Sequence, residues 1–442
     1  MRLNSEFNHD GWDFFLNLVQ SQNKYAGYID TGRYAICSAS PELFFKLDGN
    51  KIYSRPMKGT IKRGRTTLED KEQAEWLYNS VKNRAENVMI VDMVRNDLGR
   101  IAETGSVQVP ELFKVEKYPT LFQMTSLVQA KTSASLDEIF SALFPCGSIT
   151  GAPKISTMKI IADLETTPRK IYTGSIGYIS PNRKAQFNVA IRTALIDRKN
   201  QIVEYGAGGG IVWDSTSTDE YSETLLKARI LTEYPHKFEL LETLLWTPEE
   251  GYFLREKHIE RMQDSADYFD FPFSKEKLKS YLDALAGNFN VPQRIRILLN
   301  RSGELNGETS NFQKEENPLK VHLADQPIDS RNPLFFHKTT RREIYPAVSM
   351  RAPANEHGEY DDILMYNEKN ELTEFTTGNL IVELNGVLFT PPVACGLLPG
   401  TFRSHLIETG QLKERIIYKD ELSKYSTIFL VNSVRKWVEV II

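Results

Sequence analysis

Alternating apolar and polar residues between positions 25 and 56 predict a series of short β-strands. The stretch reads YAGYIDTGRYAICSASPELFFKLDGNKIYSRP, and its Thr-Gly and Asp-Gly pairs mark tight turns between the strands. Three later stretches are also predicted to be strands, namely GSIGYIS, FNVAIRTALI and VEYGAGGGIVW. The first half of the chain is therefore expected to contain β-sheet.

Apolar residues at helical spacing predict one long helix from Gln73 to Leu98. The apolar positions on one side are Leu77, Val81, Val88 and Val91, and those on the opposite side are Ile90 and Met93. The second half of this helix is apolar all round, which is typical of a buried helix.

A domain break is expected at about residue 235, where TEYPHKF reads as a short junction. Before it, helices are predicted after FPCGSITGAP and over DEYSETLLKARIL; after it, a helix is predicted from His258 to Phe269 and a strand at RIRILLN. The hairpin NLIVELNGVLFTPP turns at Asn385-Gly386, a pair that tolerates positive φ. These patterns predict two α+β domains, residues 1–234 and 235–442.

Composition limits the classes of protein that fit. The 442 residues include 54 basic and 58 acidic ones, so no overall field favours nucleic acid or anionic lipid, and any anion site is local. Cys37, Cys146 and Cys395 lie far apart, which argues against a disulfide framework or a zinc site. No window approaches 18 apolar residues and the start lacks the pattern of a signal peptide. We expect a cytoplasmic enzyme that binds neither membrane nor nucleic acid.

Lys58 lies between a proline and a glycine in SRPMKGT, which fixes the backbone on one side and frees it on the other. The lysine is therefore held in a defined place, where it can be aimed at a ligand. Charged candidates elsewhere in the first half are Glu86, Glu220, Glu223 and Arg192. The glycine-rich stretches GAGGGIV and CGSITGAPK offer backbone N–H groups that suit an anion.

Each of these features also has a purely structural explanation. Glu223 and Lys227 form an ordinary i, i+4 helix pair, worth about 0.2–0.5 kcal/mol. Glu86 is explained as a solvated helix residue, Arg192 as the partner of a structural carboxylate, and the glycines as turns. Composition and spacing leave both explanations open.

The motifs of the first half occur together in one known family. These motifs cover about residues 38–230. In chain order they are SPELFF, SRPMKGT, KNRAENVMIVDMVRNDLGRI, FPCGSITGAPK, GSIGYIS, AIRTA and GAGGGIV, the last followed by DS, EY and ET. In this order they resemble chorismate-using enzymes, above all component I of aminodeoxychorismate synthase, with component I of anthranilate synthase as a near relative.

This resemblance implies a site for chorismate and Mg²⁺, a cation that prefers oxygen ligands. The implied metal ligands are Glu86 and Glu223, with Glu220 nearby, and the implied substrate contacts are Tyr172, Arg192, Ser148, Gly208 and Gly209. Lys58 is implied to add to the ring as the 4-hydroxyl leaves, before ammonia enters at C4 and expels the lysine. The neutral amine that this requires is favoured by repulsion from a metal and from Arg55, Lys62 and Arg63.

Two positions separate the possible products. Anthranilate synthases have alanine where this chain has Lys58 and a histidine where it has Thr125. The family also has strands before the region that corresponds to RLNSEF, so we expect the sheet to be completed differently or the chain to be shortened. No G-x-C-x-G motif of a glutamine amidotransferase is found, so ammonia is expected from a separate subunit or from solution.

The second half contains the parts that pyridoxal phosphate requires. Lys338 is a candidate imine-forming lysine, Glu374 a candidate acid for the pyridine nitrogen, and Arg261 with LPGTFRSHL a candidate phosphate site. Here too, solvated charges and ordinary ion pairs explain the same residues.

The strings HIERM, KTTRREIY, TEFTTGNL and LLPGTFR resemble fold-type IV pyridoxal-phosphate enzymes, particularly aminodeoxychorismate lyase and the branched-chain aminotransferases. The resemblance implies that Lys338 binds the cofactor and moves protons, and that Glu374 contacts its ring nitrogen. The implied phosphate contacts are Arg261 and the N–H groups of Thr401 and Phe402. The segment VNSVRKW resembles a family segment ending in Arg-Gly-Trp, with Lys436 in place of glycine.

Together the two resemblances imply a bifunctional enzyme that makes 4-aminobenzoate through aminodeoxychorismate, dimeric through its second domain. The alternatives are an anthranilate synthase-like enzyme, an aminotransferase fused to a synthase, and a first half that is a non-catalytic scaffold.

Overall fold

The computed structural model describes residues 1–21, 24–211, 213, 215–228, 231, 237–314, 317–345 and 360–442. The chain forms two compact units, Met1–Arg63 with Glu72–His236, and Gly64–Lys71 with Lys237–Ile442. Both units mix helices and sheets, so the predicted α+β class is confirmed. The boundary between residues 234 and 235 stays a prediction, because residues 232–236 lie outside the described part.

The chain before residue 237 contains seven described helices and twelve described strands. The helices are α1 (Gly11–Ser21), α2 (Thr67–Asn79), α3 (Val81–Gly99), α4 (Leu136–Leu143), α5 (Gly147–Thr150), α6 (Lys154–Leu164) and α7 (Ser217–Ala228). The strands are β1 (Arg2–Glu6), β2 (Tyr25–Asp30), β3 (Tyr34–Ser40), β4 (Leu43–Asp48), β5 (Lys51–Arg55), β6 (Met57–Lys62), β7 (Gln108–Lys117), β8 (Leu121–Lys131), β9 (Ser175–Ser180), β10 (Lys184–Val189), β11 (Thr193–Asp197) and β12 (Ile202–Gly206).

These strands form two sheets. One has the order β1-β12-β11-β3-β2, and the other has the order β6-β8-β5-β4-β10-β9, with β7 paired to β8. The prediction of a single strand over FNVAIRTALI is therefore wrong, because β10 and β11 are separate strands in different sheets. Strand β1, which the pattern did not predict, pairs with β12 in antiparallel register from Arg2 opposite Gly206.

The long helix predicted from Gln73 to Leu98 is two helices. Ser80 interrupts it as the N-cap of α3, with ψ at 110° and a side chain that accepts a hydrogen bond from Asn83 N. The buried face of α3 is Asn87, Ile90, Val91, Val94, Asp97 and Leu98. Val88 and Met89 are exposed at 38% and 43%, so the prediction of an all-round buried second half is also wrong.

The chain after residue 236 adds three helices and twelve strands among the described residues. The strands are β13 (Leu240–Thr247), β14 (Gly251–Tyr252), β15 (Gln293–Leu299), β16 (Leu305–Asn311), β17 (Leu319–Leu323), β18 (Asp362–Tyr366), β19 (Leu372–Phe375), β20 (Asn379–Leu384), β21 (Val387–Thr390), β22 (Lys413–Glu414), β23 (Thr427–Asn432) and β24 (Lys436–Ile441). The helices are α8 (Arg255–Phe269), α9 (Lys275–Ala286) and α10 (Thr401–Glu408).

Two sheets organise the second unit. The first has the order β14-β13-β15-β16, and the second has the order β19-β18-β17-β24-β23-β20-β21-β22, with β19 also paired to β20. The predicted Asn385-Gly386 hairpin is confirmed, with φ of 53° and 76° at its tip. No helix in the described ranges is long and apolar enough to cross a membrane.

The segment Gly64–Lys71 belongs to the second unit although it follows β6 in the chain. Tyr268 Oη donates to Gly64 O at 2.6 Å, and Arg65 Nη1 donates to Ala394 O at 3.2 Å. The Arg65 guanidinium also lies 4.9 Å from the centre of the Phe336 ring. The pattern of the sequence contained no sign of this assignment.

Candidate functional sites

Lys58 is positioned by an irregularity in its strand. The register between β6 and β8 shifts between Met57 and Thr60, and Gly59 in the shifted part has a φ of 93°. A bulge of this kind turns a side chain away from its regular direction, and glycine makes the positive φ accessible. Asn87 on α3 donates to the Lys58 carbonyl at 3.3 Å, which anchors the bulge from the other side.

The Lys58 amine lies against the glycine run that follows β12. A methyl group at position 210 would lie 2.4 Å from Lys58 Nζ, and one at position 209 would lie 2.5 Å from Glu220 Oε2. A methyl group at position 208 would lie 3.1 Å from Tyr172 Oη. Side chains at these positions would fill the space beside the lysine, so the glycines keep it open, and the structure brings Lys58, Tyr172, Gly208, Gly209 and Glu220 together.

A buried carboxylate that the sequence analysis missed joins this group. Glu42 is 2% exposed and accepts a hydrogen bond from Ser148 Oγ at 2.6 Å, which places Ser148 in the same site. Burial raises the pKa of Glu42 to about 7, against the opposing effects of Ser148 and of the nearby Lys58 charge. The available signal was a lone acid inside the apolar string SPELFF.

The carboxylates predicted to bind Mg²⁺ are only partly gathered. Glu220 Oε1 accepts a hydrogen bond from Ser215 Oγ at 2.6 Å, whereas its buried Oε2 has no hydrogen-bond partner. Glu223 pairs with Lys227 at 2.7 Å, and the Glu86 side chain makes no hydrogen bond or ion pair with a described residue. No three His, Cys, Asp or Glu residues within the described ranges form a metal-binding group. Mg²⁺ uses one or two protein carboxylates and otherwise binds water or substrate oxygens, so Glu220 Oε2 fits the role of a ligand. The full set of Glu86, Glu220 and Glu223 stays a prediction.

Arg192 is not in a strand, contrary to the sequence expectation. It has a φ of 50° in the break between β10 and β11. Burial lowers the pKa of its guanidinium, while Tyr205 and Tyr118 act in the opposite direction. Tyr205 also interacts electrostatically with Tyr172, and the role of Arg192 as a substrate contact stays a prediction.

Two of the three cations expected to repel a charged Lys58, namely Arg55 and Arg63, have other partners. Arg55 pairs with Glu111 at 2.9 Å and with Glu116 at 3.1 Å, which largely compensates its charge. Arg63 lies over the Phe122 ring at 5.3 Å. The sequence could not show this, because Glu111 and Glu116 are more than 50 residues away from Arg55 in the chain.

Lys338 is held against β13 in the second unit. Its carbonyl accepts a hydrogen bond from Leu241 N at 2.9 Å, and its neighbour Thr339 forms an isolated bridge with Leu240. Its side chain lines a cavity of about 510 Å³ together with the predicted Arg261, Glu374 and Thr401. Burial, assisted by the Arg261 charge, lowers the pKa of Lys338 to about 8.

Glu374 is fixed at both carboxylate oxygens. It lies on β19 opposite Asn379 of β20; Asn379 Nδ2 donates to Oε2 at 3.0 Å, and Leu398 N donates to Oε1 at 3.2 Å. The residue is 3% exposed. Burial raises its pKa to about 8, and the Leu398 N–H and the Lys338 charge oppose that shift.

Arg261 is held by an acid that the sequence analysis missed. Glu242 on β13 accepts hydrogen bonds from Arg261 Nε at 2.8 Å and from Nη2 at 2.7 Å. Its Oε2 also contacts His258 Nδ1 at 2.6 Å, and His258 Nε2 is 3.3 Å from Thr401 Oγ1. The signal in the sequence was again a single acid in an apolar strand, LLETLLWT.

The start of α10 closes the cavity near Arg261. The first turn of a helix leaves N–H groups without intrahelical partners, and Thr401 and Phe402 occupy that turn. The Phe402 ring packs with Ile381 and Leu406, so only its backbone N–H remains as the predicted phosphate contact. A methyl group at Gly400 would lie 1.9 Å from Asn379 Oδ1, so this position requires glycine.

The rest of the cavity wall is strongly cationic. Within the described part of the chain, six lining side chains are basic and only Glu374 is acidic; the basic ones are Arg261, Arg294, Arg296, Lys338, Arg342 and Arg435. Lys436, which follows Arg435, has a φ of 59°, the conformation for which glycine is best suited. Lys436 thus adopts a left-handed conformation without being glycine, and its neighbour Arg435 lines the cavity.

Comparisons with known proteins follow the division of the chain. Residues 1–233 match the family model described as chorismate binding enzyme, and residues 239–441 match that of amino-transferase class IV. The chain is 43% identical over 236 residues to aminodeoxychorismate synthase component 1 of Escherichia coli, covering 52% of each chain. It is 41% identical over 209 residues to anthranilate synthase component 1 of Aquifex aeolicus, covering 47% of this chain and 42% of the relative.

Among solved structures, the branched-chain amino acid aminotransferase of Escherichia coli matches 46% of this chain and 76% of its own, with 19% identity and a TM-score of 0.40. The chain spans about half the length of the curated relatives it matches.

Proposed function

Because the chain belongs to the family of chorismate binding enzymes, we propose that its two units catalyse consecutive steps in the synthesis of 4-aminobenzoate. The first step converts chorismate and ammonia into 4-amino-4-deoxychorismate and water. The second eliminates pyruvate and leaves the aromatic product. The observation that carries the proposal is the position of Lys58 Nζ, against Gly210 and beside the buried Glu42.

In the first step Lys58 Nζ adds to the ring as the 4-hydroxyl leaves, and ammonia then enters at C4 and releases the lysine. Glu42 titrates near neutral pH and is held by Ser148, so it gives a proton to the departing hydroxyl and takes one from the entering ammonia. The N–H groups of Gly208 and Gly209, with Tyr172 and Arg192, hold anionic oxygens of the substrate. Mg²⁺ bound at Glu220, together with Glu86 and Glu223, would neutralise the ring carboxylate.

In the second step the class IV unit acts on the amino group made by the first. Pyridoxal phosphate, which the class IV family implies, would supply an electron sink for loss of the C4 proton. The donors fit this group: an amine with a lowered pKa, a fixed carboxylate, and an arginine beside a helix start. Lys338 takes the C4 proton, and Glu374 holds the end of the cavity where the ring nitrogen is expected.

The charge of the cavity supports a substrate with two carboxylates. Arg294 and Arg296 lie on the same face of β15, and both line the cavity with Arg342 and Arg435. A dicarboxylate such as 4-amino-4-deoxychorismate satisfies more of these cations than a monocarboxylate amino acid.

A second candidate function for this unit is amino-group transfer to a keto acid, because the matching family model is that of class IV amino-transferases. Pyruvate release without formation of a new amino acid would decide for elimination.

We further propose that ammonia comes from a separate glutamine amidotransferase subunit, that the chain dimerises through its second unit, and that it works in the cytoplasm. The absence of a nucleic-acid or membrane partner stays a prediction.

The two-step function is tested by incubating the protein with chorismate, Mg²⁺, ammonium and pyridoxal phosphate while 4-aminobenzoate and pyruvate are measured. Lys58→Ala should lower the first step by roughly 10²–10⁴-fold and leave the second intact when 4-amino-4-deoxychorismate is supplied. Lys338→Ala should make that intermediate accumulate and abolish attachment of the cofactor by borohydride.

Lys424→Ala is the matched control, because this lysine is 63% exposed and should leave both steps unchanged. Formation of 2-aminobenzoate, or full activity of Lys58→Ala, would contradict the proposal.

A further inference from the structure

One deeply buried carboxylate near the class IV cavity does not line it. Glu242 is 1% exposed and has three hydrogen-bond contacts, two with Arg261 and one with His258. A buried carboxylate is retained only where its partners compensate for lost hydration, and here they do so completely. Glu242 is absent from the residues that line the cavity, so it acts on a bound molecule through these partners.

The contacts decide which atoms of Arg261 remain for a ligand. Nε and Nη2 are bound to Glu242, whereas Nη1 points to the start of α10 and lies 3.3 Å from Pro399 O. A guanidinium held at two nitrogens has one orientation, because its atoms are coplanar. Glu242 therefore directs Nη1 towards the helix start that precedes Thr401.

The same carboxylate sets the role of Thr401. An ionised Glu242 accepts the Nδ1 proton of His258, which leaves Nε2 as an acceptor. Thr401 Oγ1, 3.3 Å away, then donates its proton to His258. The threonine hydroxyl is thus committed as a donor, and anion binding falls to the backbone N–H groups of α10 and to Arg261 Nη1.

We propose that Glu242 is a positioning residue for phosphate recognition, which orients Arg261 directly and Thr401 through His258. The inference rests on the proposed use of pyridoxal phosphate in this cavity. According to this inference, Glu242, although it lies outside the cavity, determines the preference for a phosphorylated over an unphosphorylated ligand.

The test compares the affinities of the full-length apo protein for pyridoxal phosphate and for pyridoxal, measured by absorbance and by quenching of tryptophan fluorescence. Glu242→Gln turns one acceptor oxygen into a donor that opposes an N–H of Arg261 or His258. It should reduce the preference for the phosphorylated ligand about 10-fold or more, with little change in pyridoxal affinity. His258→Gln leaves the Arg261 pair intact and should reduce the same preference by a smaller factor.

Glu414→Gln is the control, because Glu414 pairs with the buried Arg403 and neither residue lines the cavity. The proposal is overturned if Glu242→Gln loses affinity equally for both ligands, or if its preference is unchanged. If that variant does not fold, the preference measured for His258→Gln decides. If the unaltered protein does not bind pyridoxal phosphate, the proposed function fails instead, which separates the two outcomes.

Discussion

The two lysines that are proposed to react lie in different surroundings. Lys58 is on an irregular strand, with its amine against the exposed backbone of Gly210, and its charge acts on the buried Glu42. Lys338 lines a cavity whose wall is cationic, and the buried Glu374 is the only acidic residue among its described lining residues.

Each site combines a lysine with a carboxylate, and burial raises the pKa of the acid in both. The pKa of Glu42 is raised to about 7 in the first unit, and that of Glu374 to about 8 in the second. In the second unit burial also lowers the pKa of Lys338 to about 8. Under the proposed function, Glu42 transfers protons in the first site, whereas the surroundings of the second site favour the neutral amine of Lys338.

The largest expected effect comes from Glu374 in the cavity of the second unit. Glu374→Gln replaces the ionisable carboxyl group that Asn379 and Leu398 hold in place with an amide that has no proton to exchange, so pyruvate release from supplied 4-amino-4-deoxychorismate should fall by roughly 10²-fold or more. The first step should be unchanged. The exposed Glu439→Gln is the control, and a second step within twofold of normal would show that Glu374 has no chemical role.

Glu42, the buried acid of the first site, should make the stability of the protein depend on pH. The folded-state pKa of Glu42, about 7, exceeds the ordinary value of 4.5, so the folded protein binds more protons between these limits and loses stability as pH rises through them. At about 1.4 kcal/mol per pKa unit, the cost above pH 7 is about 3 kcal/mol. Glu42→Gln should remove this slope in urea unfolding measured from pH 5 to pH 8.

The exposed Glu308→Gln should keep the slope of the unaltered protein. Identical slopes in Glu42→Gln and the unaltered protein would mean that Glu42 titrates as a solvated acid does.

The site around Lys58 should be sensitive to the addition of a single methyl group. Gly210→Ala would place its Cβ 2.4 Å from Lys58 Nζ and displace the amine, so the first step should slow about 10-fold while the second is unaffected. Gly99→Ala is the matched control, because nothing lies within 4 Å of a methyl group there. Equal rates in the two variants would show that Lys58 adapts freely.

The smallest expected effect concerns the stability cost of a positive φ at a residue other than glycine. The first unit uses Gly59 at 93°, whereas the second has Lys436 at 59° beside Arg435. Lys436→Gly should be more stable than Lys436→Ala by about 1 kcal/mol in thermal or urea unfolding, because alanine keeps the left-handed strain and glycine relieves it. If alanine is as stable as glycine, the backbone at this position is not strained.

Sequence patterns predicted the elements whose information is local. The Asn385-Gly386 turn, the strand GSIGYIS and the helix over His258 to Phe269 are confirmed, because spacing and turn chemistry decide them within a few residues. The helix break at Ser80 was missed, since its apolar spacing continues across the cap. Glu42 and Glu242 were missed because a single acid in an apolar strand does not reveal which distant partner compensates it.

By itself the sequence determined the membership in the chorismate binding enzymes, the resemblance of the second half to class IV amino-transferases, the α+β class and the residue types of both sites, because these follow from motifs and from periodicity along the chain. Only the tertiary structure decided that Arg192 lies in a break between sheets, that Gly210 faces Lys58, and that Glu242 orients Arg261. The physical reason is that burial and ion pairing depend on which side chains meet across strands and helices far apart in the chain.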